Sequence, residues 1–168
     1  MKASGNNISS SKKLEKDNVS GQTRDIASDL SRLGSFDEIL EYLITYVTQT
    51  LEAERGSLFL HDPAAHQLYT RVALGNLSRE IRIDEQSGVA GWVFMNAEAT
   101  IVNNPYKDER FNKEVDERTG YQTKSLICVP IFSTGDIPIG VLQVLNKQTG
   151  RFTKLDLAKI ELVASQCA

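Results

Sequence analysis

Between Gly88 and Pro130 this chain sets down a glycine-flanked helix start, a long polar segment and a short apolar run, in that order. Gly-Val-Ala-Gly-Trp-Val at Gly88–Val93 places Val89, Trp92 and Val93 on one helical face. From Asn103 to Tyr121 no clean period survives; the stretch is charged, contains Pro105 and has one large apolar anchor, Phe111. Connections of this length inside a compact domain are functional lids or unstructured segments. Ser125–Ile131 (Ser-Leu-Ile-Cys-Val-Pro-Ile) then reads as a buried strand. Pocket wall, lid and pocket floor follow one another, with no nucleophile, metal cluster or phosphate loop among them. The stretch is built to hold a ligand rather than to convert one.

The rest of the chain supplies the frame. With 168 residues and 40% hydrophobic content it can bury one core. Residues 1–21 are nearly devoid of apolar side chains and cannot offset their ordering entropy, so they read as a disordered leader or linker. Residues 22–168 form the domain, beginning with a short helix on Ile26, Leu30 and Leu33. A better-specified helix follows, where Ser35-Phe-Asp-Glu38 forms a capping box ahead of apolar Phe36, Ile39, Leu40, Leu43, Ile44, Val47 and Leu51. Gly56–His61, Leu68–Leu74 and Ile81–Ile83 read as a strand meander with turns at Asp62–Ala65 and Gly75-Asn76. Within the lid, Asn112–Arg118 reads as a short helix closed by Gly120. Ser125–Phe132 and Ile137–Asn146 form a hairpin, and a last helix starts near Thr153. That helix runs to the final residue, which suggests a piece of a longer protein.

Composition excludes several functions. A net charge of −3 gives no basic face for nucleic acid. The two cysteines, Cys128 and Cys167, have neither zinc spacing nor a disulfide framework, which fits a cytoplasmic setting. No apolar run is long enough to span a bilayer. His61 and His66, beside a turn, read as solvent-facing. Cys128 reads as a buried structural thiol. No catalytic residues, metal ligands or covalently bound cofactor are expected.

From about Asp37 to Ala164 the chain resembles a GAF domain, the small-ligand sensor module of cyclic-nucleotide phosphodiesterases, bacterial adenylyl cyclases and many kinases. Gly-Val-Ala-Gly, Thr-Gly-Tyr-x-Thr and Val-Pro-Ile match its pattern, and Asn146-Lys147 with Phe152 and Asp156 resembles the signature of its cyclic-nucleotide-binding branch. That signature's final Glu is Leu157 here. The resemblance implies an α/β (α+β) sandwich: a central antiparallel sheet, terminal helices on one face and a ligand lid on the other. It implies a Lys147–Asp156 ion pair. It implies a pocket of Ser57, Val89, Ala90, Thr119, Thr123 and Gln143, with Thr119 and Thr123 donating to ligand oxygens and Gln143 reading a base edge. Ala73 stands where phosphodiesterase domains stack an aromatic on the base, and Leu74 where they read it with an acid. Arg71, two residues before Ala73 and so on its strand face, is the candidate replacement. The resemblance thus implies a regulatory, non-catalytic domain that binds a cyclic nucleotide, cyclic AMP in preference to cyclic GMP. It would form a homodimer through its terminal helices and control an effector such as an adenylyl cyclase or a phosphodiesterase. The alternative is a ligand-free GAF domain serving as a dimerisation and signal-relay element.

Overall fold

The computed structural model describes residues 32–74, 80–134 and 136–167. The expected leader and the helix on Ile26 and Leu30 lie outside them. The chain divides into two compact units, 1–39 and 40–168. In the first, Ser35 Oγ accepts from Glu38 N–H at 3.2 Å and Glu38 Oε2 accepts from Ser35 N–H at 3.1 Å. This reciprocal capping starts helix α1, Phe36–Thr50.

In the second unit, six strands form one antiparallel sheet. They are β1 (Ala53–Asp62), β2 (Gln67–Ala73), β3 (Arg82–Asp84), β4 (Thr100–Val102), β5 (Leu126–Phe132) and β6 (Pro138–Lys147), in the order β3-β2-β1-β6-β5-β4. The apolar run Leu126–Ile131 is buried at every position, as a strand covered on both faces must be. Register sorts the faces. Leu58 pairs with Leu142 and Leu142 with Val129, all fully buried on the side of the terminal helices. The alternate residues Phe59, Val141 and Cys128 belong to the core of the other side. There they pack with Val89, Ala90, Val93 and Phe94 of α2, Gly88–Asn96.

The segment Asn103–Thr123 contains a single turn of 3₁₀ helix at Pro105–Lys107 and helix α3, Lys113–Thr119. Asn112 Oδ1 caps α3 by accepting from Glu114 N–H at 2.9 Å, and Gly120 ends it in the left-handed conformation. The last helix, α4 (Lys154–Ala164), touches β5 and β6. Thr153 and Asp156 close its start with a second capping box.

Two features depart from the sequence reading. Strand β4, three residues long, pairs with β5 through Thr100↔Cys128 and was not expected. The β1–β2 register shifts between Leu58↔Val72 and Phe59↔Thr70, so β2 spends two residues where β1 spends one. This bulge breaks the alternation on which Arg71 and Ala73 were assigned to one face.

At Gly56 α1 lies close against the sheet: a Cβ there would meet Thr48 Oγ1 and lie 2.9 Å from Ile44 Cγ2. Gly56→Ala is expected to cost about 1–3 kcal/mol by overpacking, read as a lower urea midpoint. Thr48→Ala in the same chain should recover part of the loss. An unchanged midpoint for the single variant would mean that α1 does not press on β1.

Candidate functional site

Of four motif residues at the end of β6 and the start of α4, Asn146 and Phe152 tie the lid to the sheet, and Lys147 and Asp156 join the helices. Asn146 adopts a positive φ of 56°, a conformation asparagine tolerates better than most residues. Its Oδ1 accepts from Lys124 N–H at 2.6 Å, and its Nδ2 donates to Gln122 O at 2.9 Å and Glu54 Oε2 at 3.0 Å. Glu54 Oε2 also accepts from the Tyr121 hydroxyl at 2.9 Å. The far end of the lid is fixed by Asn103, whose side chain donates to Phe152 O (3.1 Å) and accepts from Phe152 N–H (3.0 Å). Lys147 Nζ donates to Leu51 O just past α1 (2.9 Å) and to Asp156 Oδ1 in α4 (3.2 Å).

Charge follows this geometry. Burial alone would raise the Asp156 carboxyl, but donation from the Thr153 N–H and hydroxyl and from Lys147 outweighs it and holds the group below its ordinary value. Hydrogen bonds from Asn146 and Tyr121 likewise lower Glu54. Burial, then the bond to Glu54, pushes Tyr121 up.

A cavity of about 90 Å³ lies between the sheet, α2 and the lid. Ser57 and Gln143, directly paired across β1 and β6, form the polar part of its floor. Ser57 is 6% exposed and Gln143 half-buried, and neither side chain hydrogen-bonds to any described residue. One wall is the start of α2, with Gly88, Val89 and Ala90. The first amides of a helix have no acceptor within it, and Ser87, at the N-cap, makes no side-chain cap. The positive end of the helix dipole therefore faces the cavity.

Thr119 and Thr123 line the lid side. The Thr119 hydroxyl donates to Val115 O at 2.8 Å, and that of Thr123 to Asp116 Oδ1 at 2.7 Å. As they stand, their protons are engaged within the protein, and toward the cavity they offer lone pairs rather than the donors expected for ligand oxygens. Asp116 is buried and also accepts from Thr123 N–H (2.6 Å) and the Tyr106 hydroxyl (3.0 Å).

Six of the eight assigned pocket residues thus meet at one cavity: Ser57, Val89, Ala90, Thr119, Thr123 and Gln143. Arg71 and Ala73 do not line it; Arg71 is the extra residue of the β2 bulge and is exposed, while Ala73 pairs with Ser57 beyond the bulge. Arg55, unmarked in the sequence, lines it together with Tyr121 of the Thr-Gly-Tyr-x-Thr motif. Arg55 stacks its guanidinium 3.7 Å from the centroid of the Tyr121 ring, and both belong to the cavity wall. The lid's outer part is held on α2 by Arg110, which lies 4.5 Å over Trp92 and is paired with Asp108 at 2.7 Å. Only the register of Arg55 with Leu145, on the same face as Ser57, could have pointed to it.

His61 is not solvent-facing as expected. It packs 4.4 Å from Phe94 and meets Glu85 at 2.6 Å, while His66 meets the other Glu85 oxygen at 3.1 Å. Among the described residues no group of His, Cys, Asp and Glu could hold a metal ion, and no helix is long and apolar enough to cross a membrane. Cys128 is fully buried and its thiol is pushed up by desolvation; Cys167 is raised to about 12 by the same cause.

The GAF domain family matches residues 35–168, and the chain belongs to it. GAF domains are regulatory sensor modules. Similar curated proteins are phosphodiesterases by name. One, from Caenorhabditis elegans, is named probable 3′,5′-cyclic phosphodiesterase pde-5; it is 38% identical over 145 residues, 79% of this chain and 20% of that protein. Another, dual 3′,5′-cyclic-AMP and -GMP phosphodiesterase 11 of Drosophila melanogaster, is 34% identical over 160 residues, 84% of this chain and 11% of that one. A cGMP-specific 3′,5′-cyclic phosphodiesterase of Drosophila pseudoobscura pseudoobscura is 34% identical over 142 residues, 76% of this chain and 12% of that one. The chain therefore spans a fifth or less of the length of these relatives. Among solved structures, the GAF domain of a phosphoenolpyruvate-protein phosphotransferase from Coxiella burnetii superposes with a TM-score of 0.77 at 17% identity, covering 86% of each chain. A free methionine-R-sulfoxide reductase from Neisseria meningitidis, in complex with its substrate, gives 0.69 at 19% identity, covering 84% of this chain and 83% of that one. These likenesses establish the shared fold.

Removing Lys147 tests the link between the end of β6, the end of α1 and the start of α4. Lys147→Met should cost about 2–3 kcal/mol, less than for a fully buried pair, because Asp156 keeps its Thr153 donors. The pH dependence has a defined sign. A carboxyl held below its ordinary value contributes fully above about pH 4 and less as pH falls through its folded value. Chemical denaturation between pH 2 and 7 should show a shallower acid limb for Asp156→Asn than for the parent; identical limbs would contradict this role.

Proposed function

We propose that this domain is a regulatory sensor that takes a 3′,5′-cyclic nucleotide into the cavity and signals its occupancy to an effector in a longer chain, such as a phosphodiesterase or an adenylyl cyclase. The reading rests on Ser57 and Gln143: adjacent polar side chains on a largely apolar floor, aimed into the cavity and without hydrogen bonds to described residues. Among the described residues no fully buried side-chain oxygen or nitrogen lacks a partner, so these two polar ends open onto the cavity, where a ligand can complete their bonds. Gln143 offers both a donor and an acceptor to a base edge. The open amides at the start of α2 suit the phosphate. Thr119 and Thr123 present acceptors, a match for amino or ring N–H groups of a purine. Relatives named as cyclic phosphodiesterases support the nucleotide class.

The finer preference, cyclic AMP over cyclic GMP, rests on Ala73 and Leu74 alone. The relatives' names, cGMP-specific and dual, do not support it. Ligand admission requires the lid to move, since about 90 Å³ is well below the roughly 300 Å³ of small ligand pockets. Movement of Asn103–Thr123 would then reach α1 and α4 through Asn146 and Lys147, and a cytoplasmic homodimer joined by the terminal helices would pass it on. The small cavity also favours a second reading, a ligand-free domain that acts through dimerisation alone.

Isothermal titration with cyclic AMP and cyclic GMP separates the two. We expect saturable heat with at least one, and a loss of about tenfold or more in affinity for Ser57→Ala/Gln143→Ala, with the thermal midpoint unchanged. Silence of the folded parent with both nucleotides would overturn the sensor reading.

A further inference from the structure

Ser87 holds the N-cap position of α2 with φ −87° and ψ 137°, the backbone geometry from which a serine hydroxyl caps a helix. It makes no such cap. Its Oγ instead accepts from Asn112 Nδ2 at 2.9 Å, while the other end of the same amide, Asn112 Oδ1, caps α3. Asn112 lies against the helix start itself: a Cβ on Gly88, whose φ is +72°, would stand 3.4 Å from Asn112 Cβ. Among the described residues, no group outside α2 accepts from the amides of Gly88, Val89 or Ala90. They border the same cavity as Ser57, a polar side chain more than nine-tenths buried and likewise without a hydrogen bond to described residues.

We propose that Asn112 is a positioning residue that holds the Ser87 hydroxyl away from the end of α2 and so keeps the amides of Val89 and Ala90 open for the anionic group of the ligand. The proposal rests on the cyclic-nucleotide reading for its ligand, though its structural half stands without one. Released from Asn112, Ser87 rotates about one bond and caps its own helix at Val89 or Ala90, as serine ordinarily does. The cap and the ligand's phosphate then compete for the same donors. Asn112 thereby links two helix starts: by capping α3 in the lid it uncaps α2 in the wall.

The test uses Asn112→Ala and the double variant Ser87→Ala/Asn112→Ala, each titrated calorimetrically with cyclic AMP and cyclic GMP. A cap of ordinary strength predicts about fivefold weaker binding for Asn112→Ala. Removing the Ser87 hydroxyl as well should return affinity to within about twofold of the parent, since alanine cannot cap. Both variants lack the α3 cap, so a loss caused by damage to α3 would persist in the double variant, and that persistence would overturn the proposal. Amide hydrogen exchange without any nucleotide supplies the second readout. Exchange at Val89 or Ala90 should slow in Asn112→Ala and return to the parent rate in the double variant. If the parent binds neither nucleotide, the sensor reading falls while exchange still decides the role of Asn112; unchanged exchange in Asn112→Ala would refute it.

Discussion

The site depends on one polar node, Asn146 and Lys147 at the end of β6. A three-residue edge strand and a lid with no sheet pairing of its own would not otherwise hold a fixed height above the floor. Asn146 supplies the missing bonds at the lid's end, receiving Lys124 N–H and donating to Gln122 O. One residue on, Lys147 gathers the end of α1 and the start of α4. A side-chain amide can do this because it offers acceptor and donor at opposite ends. The node places the lid and the terminal helices on a single short stretch of backbone.

The cavity is a place where local satisfaction has been withheld. Elsewhere polar groups are matched: Asp116 with Tyr106 and Thr123, Glu54 with Asn146 and Tyr121, Asp156 with Thr153 and Lys147. Against that background, Ser57, Gln143 and the first amides of α2 stand out as donors and acceptors aimed at the same space. Among the described residues every fully buried side-chain oxygen and nitrogen has a partner, so the polar groups without one are those that open onto this space.

Much of the frame was legible because its signals are local. The Ser35–Glu38 capping box, the apolar run of β5 and the Asn112-to-Gly120 limits of α3 each lie within a few residues, and each stands where it was expected. The family signature carried the longer link from Lys147 to Asp156. What escaped depends on partners distant in sequence. The bulge at Arg71 exists only in register with β1, and three-residue β4 only through β5. His61 meets a carboxylate 24 residues away. Which way a threonine hydroxyl points is decided by its nearest acceptor, and for Thr123 that is Asp116, seven residues earlier.

The central claim, that a cyclic nucleotide lies between the start of α2 and the Ser57–Gln143 floor, is tested most directly by NMR of the isotope-labelled domain. Adding cyclic AMP or cyclic GMP should move the backbone amides of Val89 and Ala90 together with the side-chain amide of Gln143, saturating along one binding curve. No perturbation with either nucleotide, or shifts confined to residues remote from this cavity, would contradict it.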